Sequence, residues 1–187
     1  GKNLVCRLHE MPNICIIFFT RKHNLSKLVE LVAASDMIVH LAGVNRPDSD
    51  SEFTHGNVDL TREVCDAIRS SGRNIPMIFA SSTQADIPTL YGRSKKHAEQ
   101  IVQLLAEETG NSVSIFRLPG VFGKWCKPNY NSVVATFCYN IARNIPIQVS
   151  DFDANLDIVY IDDLVSIFID KLFHMNHGLE WGQVTPI

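Results

Sequence analysis

The chain has 187 residues, 45% hydrophobic and 20% charged, an ordinary globular composition with enough apolar material for one sizeable core. Its 17 Lys and Arg against 20 Asp and Glu give a net charge of −3 with no basic run, which argues against a nucleic-acid partner. The 5 cysteines are scattered with no CxxC pair, and the longest apolar run, ICIIFF, is too short to cross a bilayer, so the expectation is a cytoplasmic chain with reduced thiols, no metal and no membrane contact.

Taken in order, residues 2–10 (KNLVCRLHE) fit the end of an amphipathic helix with Leu4, Val5 and Leu8 on one side. Residues 14–19 (ICIIFF) read as a strand covered on both faces. NLSKLVELVAAS is a helix with Ser26 as its N-cap and Leu28, Leu31 and Val32 inward. DMIVHLAG is a buried strand closed by Gly43; a helix over 52–70 and the strand PMIFAS follow. The longest helix runs from Tyr91 to Thr109 and stops at Gly110-Asn111. After it come the strand SVSIFRL, a turn-rich stretch from Pro119 to Asn129 and the helix NSVVATFCYNIARN. Two short strand-like pieces, IPIQVS and LDIVYI, precede a last helix from Asp162 to Phe173. Strands alternating with helices predict an α/β fold, a doubly wound parallel sheet of the Rossmann-like type, with ligands beyond the carboxyl ends of the strands.

One of those strand ends carries the chemistry. Tyr91 and Lys95 are four apart on a helix and therefore share a face. An ammonium near a phenol favours phenolate, so Lys95 is expected to draw the tyrosine down toward physiological pH and make it a general acid. Ser82 ends the strand nine positions earlier, where its hydroxyl can bond the same developing oxyanion. YxxxK alone recurs on many solvated helices; the strand-ending serine pair Ser81-Ser82 and the turn before the helix make it specific. Cys126 has no evident histidine partner for nucleophilic work, and His174 and His177 lack the further ligands a metal would need.

IFASS…YGRSK resembles the Ser-Tyr-Lys constellation of the extended short-chain dehydrogenases/reductases, nucleotide-sugar branch. DMIVHLAG, GNVDLT, FRLPGVFG and VYIDDLV follow in that family's order, and HLAGVNRP with FGKWCKPNYNSVVATFCYNIARN is most similar to capsular-polysaccharide reductases acting on a UDP-4-keto-6-deoxy-HexNAc sugar. The resemblance implies an NAD(P)-binding domain over 1–123 and part of a sugar-nucleotide-binding region over 124–187. It makes Gly1 the third glycine of a phosphate-binding turn whose first strand and other glycines lie outside this chain, so the expectation is a segment of a longer protein. Leu41, Ala42, Gly43 and Ser81 would lie against the cofactor, Pro119 would border the nicotinamide, and Asn57 would hold the neighbouring strand.

At the end of FFTRK, where NAD-preferring relatives often place an acid, Arg21 would meet a 2′-phosphate, which favours NADPH. Only fourteen residues separate Arg21 from Asp36, so the usual adenine-side motif is missing. Ser82, Thr83, Lys124, Trp125, Asn129 and Arg143 are the expected substrate contacts. Thr83-Gln84 stands where dehydratases place Asp-Glu, which argues against dehydration. The reaction implied is reduction of the sugar C4 ketone by NADPH, with a UDP-sugar 4-epimerase holding NAD, or a non-catalytic NADP-binding scaffold, as alternatives. The family also pairs two helices between subunits, implying a homodimer through 52–70 and 91–109, with Val64, Cys65, Ile68, Ile101, Val102 and Leu105 as the apolar residues beyond one stripe.

Overall fold

The computed structural model describes residues 1–149 and 151–187. It begins with helices α1 (Lys2–His9) and α2 (Leu25–Ala33), strand β1 (Ile38–His40) and a helical stretch of three parts: α3 (Ser51–Phe53), a π-helical turn Thr54–Asp59 and α4 (Leu60–Ser71). Strand β2 (Met77–Ser82) leads through a 3-10 turn, Thr83–Asp86, into α5 (Leu90–Thr109). Then come β3 (Val113–Leu118), β4 (Gly120–Phe122), α6 (Val133–Ile141), β5 (Ile158–Tyr160), α7 (Ile161–Phe173) and β6 (Leu179–Gly182). The main sheet is parallel throughout in the order β1-β2-β3-β6, and β4 and β5 form a second parallel pair.

The pleat of β2 and β3 divides the core into two layers. Met77 and Phe79 of β2, with Val113 and Ile115 of β3, face α2, α4 and α5, where they meet Leu28, Val32, Ile68, Ala98, Val102 and Leu105. Ile78 and Phe116 point the other way, onto Leu4 and Leu8 of α1 and Leu164, Val165 and Phe168 of α7. Alternating side chains buried on both faces are what a parallel sheet between helix layers requires. Val64, Cys65, Ile68, Ile101, Val102 and Leu105 are all buried in the first layer, at 8% exposure or less, so the six residues read as a face for a second copy are used by the chain's own core.

Several boundaries follow the sequence closely. Thr89 caps α5 by accepting from the Gly92 amide at 3.0 Å, and Gly110 ends it in the left-handed conformation at φ 72°. Elsewhere the chain departs from its pattern. Asn24, not Ser26, caps α2, because its side chain reaches the Lys27 amide at 2.9 Å. Residues 14–19 form no strand: no ladder partner flanks them among the described residues, and Ile17 and Phe18 are 42% and 50% exposed. Apolar composition suits a strand, but a strand exists only where a neighbour accepts its hydrogen bonds. For the same reason 145–149 of IPIQVS is irregular; Ser150 lies outside the described residues.

The pattern also conceals β6. Its four residues, LEWG, alternate too briefly to stand out, yet they extend the sheet by pairing with β3. Gly182 is the register partner of Phe116, and a Cβ built on it would stand 2.1 Å from that ring, which is itself 1% exposed and has nowhere to go. Gly182→Ala is therefore expected to destabilise the fold by about 1–3 kcal/mol, seen as a lower urea midpoint with an unchanged slope; an unchanged midpoint contradicts this packing.

Candidate active site

The carboxyl ends of β1, β2 and β3 open on a cavity of about 1220 Å³. Ser82, Tyr91 and Lys95 all line it, so the three residues singled out from the sequence are brought together. Ser82 leaves β2 in an extended conformation and accepts from the Gln84 amide at 3.2 Å, which starts the 3-10 turn. That turn and the start of α5 approach so closely that a Cβ on Gly92 would lie 2.2 Å from the Ile87 carbonyl oxygen; only glycine allows the tyrosine's helix to begin there. Tyr91 packs its ring 6.0 Å from that of Phe53.

The electrostatics differ from the expectation in one respect. The phenol of Tyr91 is raised above the ordinary tyrosine value, because burial outweighs a hydrogen bond with the Ser82 hydroxyl that pulls the other way. Lys95 does not acidify it. The ammonium instead turns toward the sheet, donates to the Ala80 carbonyl at 2.7 Å and lies 4.8 Å from the centre of the Phe79 ring. Burial brings Lys95 down to about 8, and the negative charge of Glu99 opposes that fall. At neutral pH the site thus holds a protonated phenol, a serine hydroxyl and a mostly protonated ammonium.

A polar network fixes the loop above them. The Asn57 side chain is 2% exposed. It accepts from the Val44 amide at 2.7 Å and donates to the Val44 carbonyl and the Ser94 hydroxyl, both at 2.9 Å. Ser94 in turn donates to the Tyr91 carbonyl at 2.7 Å. The π-helical turn thereby ties the β1 exit loop to the first turn of α5. Beneath it His40, held neutral by burial and by Lys95 at about 3, bonds Thr61 at 3.0 Å.

Gly1, Leu41, Ala42, Gly43, Ser81, Thr83, Pro119 and Asn129 also line the large cavity. Leu41–Val44 separate it from a second cavity of about 910 Å³, lined by Arg21, His23, Asn24, Glu52, His55 and Glu63 among others. Arg21 makes no ion pair among the described residues. Three expected substrate contacts line neither cavity. Lys124 pairs with Asp162 at 3.3 Å, Trp125 is 59% exposed, and the Arg143 guanidinium stacks 3.9 Å over Tyr139. Asn45, Arg46 and Gln148 line the large cavity and were not singled out from the sequence, where isolated polar residues in loops carry no periodic signal. The described residues contain no cluster of three His, Cys, Asp or Glu fit for a metal, and no helix long and apolar enough to cross a membrane.

The lowered lysine has a consequence for stability. Between pH 8 and the unfolded value of 10.5 the unfolded chain holds a proton at Lys95 that the folded chain has lost, so folding stability rises with pH across that window through this group. Lys95→Met lacks this contribution. Wild-type stability minus that of the variant is expected to grow by about 2–3 kcal/mol from pH 8 to 10.5 in urea unfolding; a flat difference contradicts the buried ammonium.

Comparison with known proteins places this arrangement in a family. The model of the NAD dependent epimerase/dehydratase family matches residues 2–180. The chain is 51% identical over 186 residues to UDP-2-acetamido-2,6-beta-L-arabino-hexul-4-ose reductase of Pseudomonas aeruginosa, covering 100% of this chain and 50% of that protein. It is 28% identical over 166 residues to UDP-glucuronate 4-epimerase 1 of Arabidopsis thaliana, covering 75% of this chain and 38% of that one. Among solved structures, the capsular polysaccharide assembling protein CapF of Staphylococcus aureus superposes with a TM-score of 0.81 at 41% identity, over 98% of this chain and 51% of its own. The chain thus spans about half the length of the first of these relatives. MoeE5 in complex with UDP-glucuronic acid and NAD shares the fold at a TM-score of 0.82, with 19% identity over 97% of this chain and 71% of its own. On these grounds the chain belongs to the NAD dependent epimerase/dehydratase family.

Proposed function

We propose that this chain carries the catalytic site of an NADPH-dependent reductase acting on the C4 ketone of a UDP-4-keto-6-deoxy-N-acetylhexosamine. The observation that carries the reading is that Ser82, Tyr91 and the buried Lys95 line one large cavity at the carboxyl ends of the strands, as a hydroxyl, a proton donor and an ammonium would need to. The 51% identity to a UDP-sugar 4-keto reductase supports the same choice.

The residues present fit a dinucleotide. Two cavities meet along Leu41–Val44, and a Cβ on Gly43 would come within 2.9 Å of the Asn57 amide oxygen, so the wall between them is held thin. NADPH, when bound, supplies the hydride. Gly1, Leu41, Ala42, Gly43, Ser81 and Pro119 would border it, and Arg21 in the second cavity would meet a 2′-phosphate.

As negative charge develops on the C4 oxygen, Tyr91 donates its proton and Ser82 holds the oxygen through a hydrogen bond. Lys95, which lines the same cavity, would bond the nicotinamide ribose. Thr83 and Asn129, both on the cavity wall, would contact the sugar nucleotide. Lys124, Trp125 and Arg143 line neither cavity, so they support this reading less directly.

A 4-epimerase is the second reading, favoured by the Arabidopsis relative. Its first step removes a proton from a sugar hydroxyl and would use Tyr91 as the base, so the two readings share one site and differ in whether NADPH is consumed. Purified at full length and given a UDP-4-keto-6-deoxy sugar, the protein is expected to consume NADPH faster than NADH. Tyr91→Phe, which keeps the ring contact with Phe53, should lower kcat about 10²–10⁴-fold while leaving NADPH affinity unchanged. Near-normal turnover by that variant removes the proton-donor role, and cofactor binding without turnover in the wild type supports a scaffold instead.

A further inference from the structure

Glu99 is a charged residue with no exposed surface at all, and neither proton donation nor substrate contact accounts for it. It stands one helical turn beyond Lys95 and two beyond Tyr91, on the face of α5 that lies over the sheet. Ser81 and Arg117 are register partners on β2 and β3, so both point from the same face of the sheet toward it. The Arg117 guanidinium grips the carboxylate with Nε and Nη2, each at 2.8 Å. Ser81 donates its hydroxyl to the same carboxylate at 2.6 Å.

Arg117 is anchored in turn. It pairs with Asp86 of the 3-10 turn and lies 5.0 Å over the Trp181 ring of β6. Lys96 adds a longer contact to Glu99 at 3.7 Å and pairs with Asp86 at 3.1 Å. One carboxylate therefore collects α5, β2, β3 and the turn that follows Ser82.

We propose that Glu99 is a positioning residue for the Ser82–Tyr91–Lys95 set: gripped by Arg117 and Ser81, its buried carboxylate fixes the seating of α5 on the sheet and sets the charge environment of Lys95. The proposal rests on the reductase reading for its kinetic consequence but not for its structural one. Two features argue for a role beyond stability. A buried ion pair is often no more stabilising than apolar residues of similar volume, so stability alone does not require it here. And a bidentate guanidinium–carboxylate pair constrains direction as well as distance, which an apolar contact does not.

The charge effect follows from the groups around Lys95. From its own helix comes Glu99, one turn on, from β1 the neutral His40, from the π-helical turn the uncharged Asn57 across Gly43, and from β2 the Ala80 carbonyl and the Phe79 ring; the Arg117 cation of β3 is held by Glu99. Among these, the anion is Glu99, and it acts to keep the ammonium protonated against burial. Removing it lets Lys95 lose its proton at lower pH.

Glu99→Gln alone leaves Arg117 facing a neutral amide, and breaking one half of a buried pair can unfold the chain. The decisive variant is therefore the double replacement Glu99→Leu with Arg117→Met in the full-length protein. Three measurements are read: urea unfolding, kcat for NADPH-dependent reduction, and the titration of Lys95 followed by NMR of lysine labelled with ¹³C at Cε. The variant is expected to fold cooperatively, to lose about 10- to 100-fold in kcat, and to titrate Lys95 at lower pH than the wild type. A folded variant with wild-type kcat and an unmoved titration overturns the proposal.

Should the double variant not fold, Glu99→Asp keeps the charge but draws it back by one methylene. It is then expected to lower kcat while leaving the Lys95 titration near that of the wild type, and wild-type kcat would overturn the positioning role. If the wild type itself turns nothing over, the reductase reading fails, and the NMR titration still decides the claim about Glu99.

Discussion

A lysine ammonium buried under the end of a parallel sheet is the constraint around which this chain is organised. Taking that charge out of water is costly, and the drop of Lys95 to about 8 records how incompletely its surroundings replace the lost hydration. What the surroundings do offer is specific. The Ala80 carbonyl accepts at 2.7 Å, the Phe79 ring lies beneath, and Glu99 supplies a negative charge one turn along the helix. Each comes from an element that also builds the core, so the charge cannot be accommodated unless α5 and β2 are correctly assembled. Helix α5 serves both ends: Ala98, Val102 and Leu105 bury it, and its first two turns carry the chemistry.

The loop after β1 stands between two cavities for a similar reason. Asn57 satisfies both backbone groups of Val44 and reaches Ser94, so the loop is fastened to the same helix that presents Tyr91. The π-helical turn brings Asn57 to that position, and the buried His40–Thr61 bond supports it from below. Polar groups that are buried and fully paired make an arrangement specific, because any displacement leaves one of them unsatisfied. The described residues contain no buried side-chain nitrogen or oxygen without a partner.

The amino-acid pattern made much of this legible. The stretches PMIFAS and SVSIFRL marked β2 and β3, the Gly110-Asn111 stop marked the end of α5, and the Tyr91–Lys95 spacing with Ser82 marked the site. Other features depend on contacts that a linear pattern does not carry. ICIIFF has the composition of a strand, but pairing decides whether it is one, and its neighbours are invisible along the chain. LEWG carries no strand pattern of its own, yet it forms β6 beside β3, where Gly182 lies against Phe116. The tyrosine's acidification was inferred from spacing alone, whereas the ammonium's direction, toward Ala80, depends on where the sheet lies. Lys124 and Arg143, expected as substrate contacts, line neither cavity: one pairs with Asp162 and the other stacks on Tyr139. Glu99 did have a signal, since it lies four residues after Lys95, but its significance appears only once Ser81 and Arg117 are seen as register partners.

The destination of the hydride is what separates a reductase from the other readings. NADPH carrying deuterium at the transferable position of its nicotinamide, incubated with the full-length protein and a UDP-4-keto-6-deoxy-N-acetylhexosamine, tests it most directly. The account predicts a product with deuterium bound to sugar C4 and one NADPH oxidised for each product formed. A product without the label, formed while the cofactor stays reduced, would contradict it.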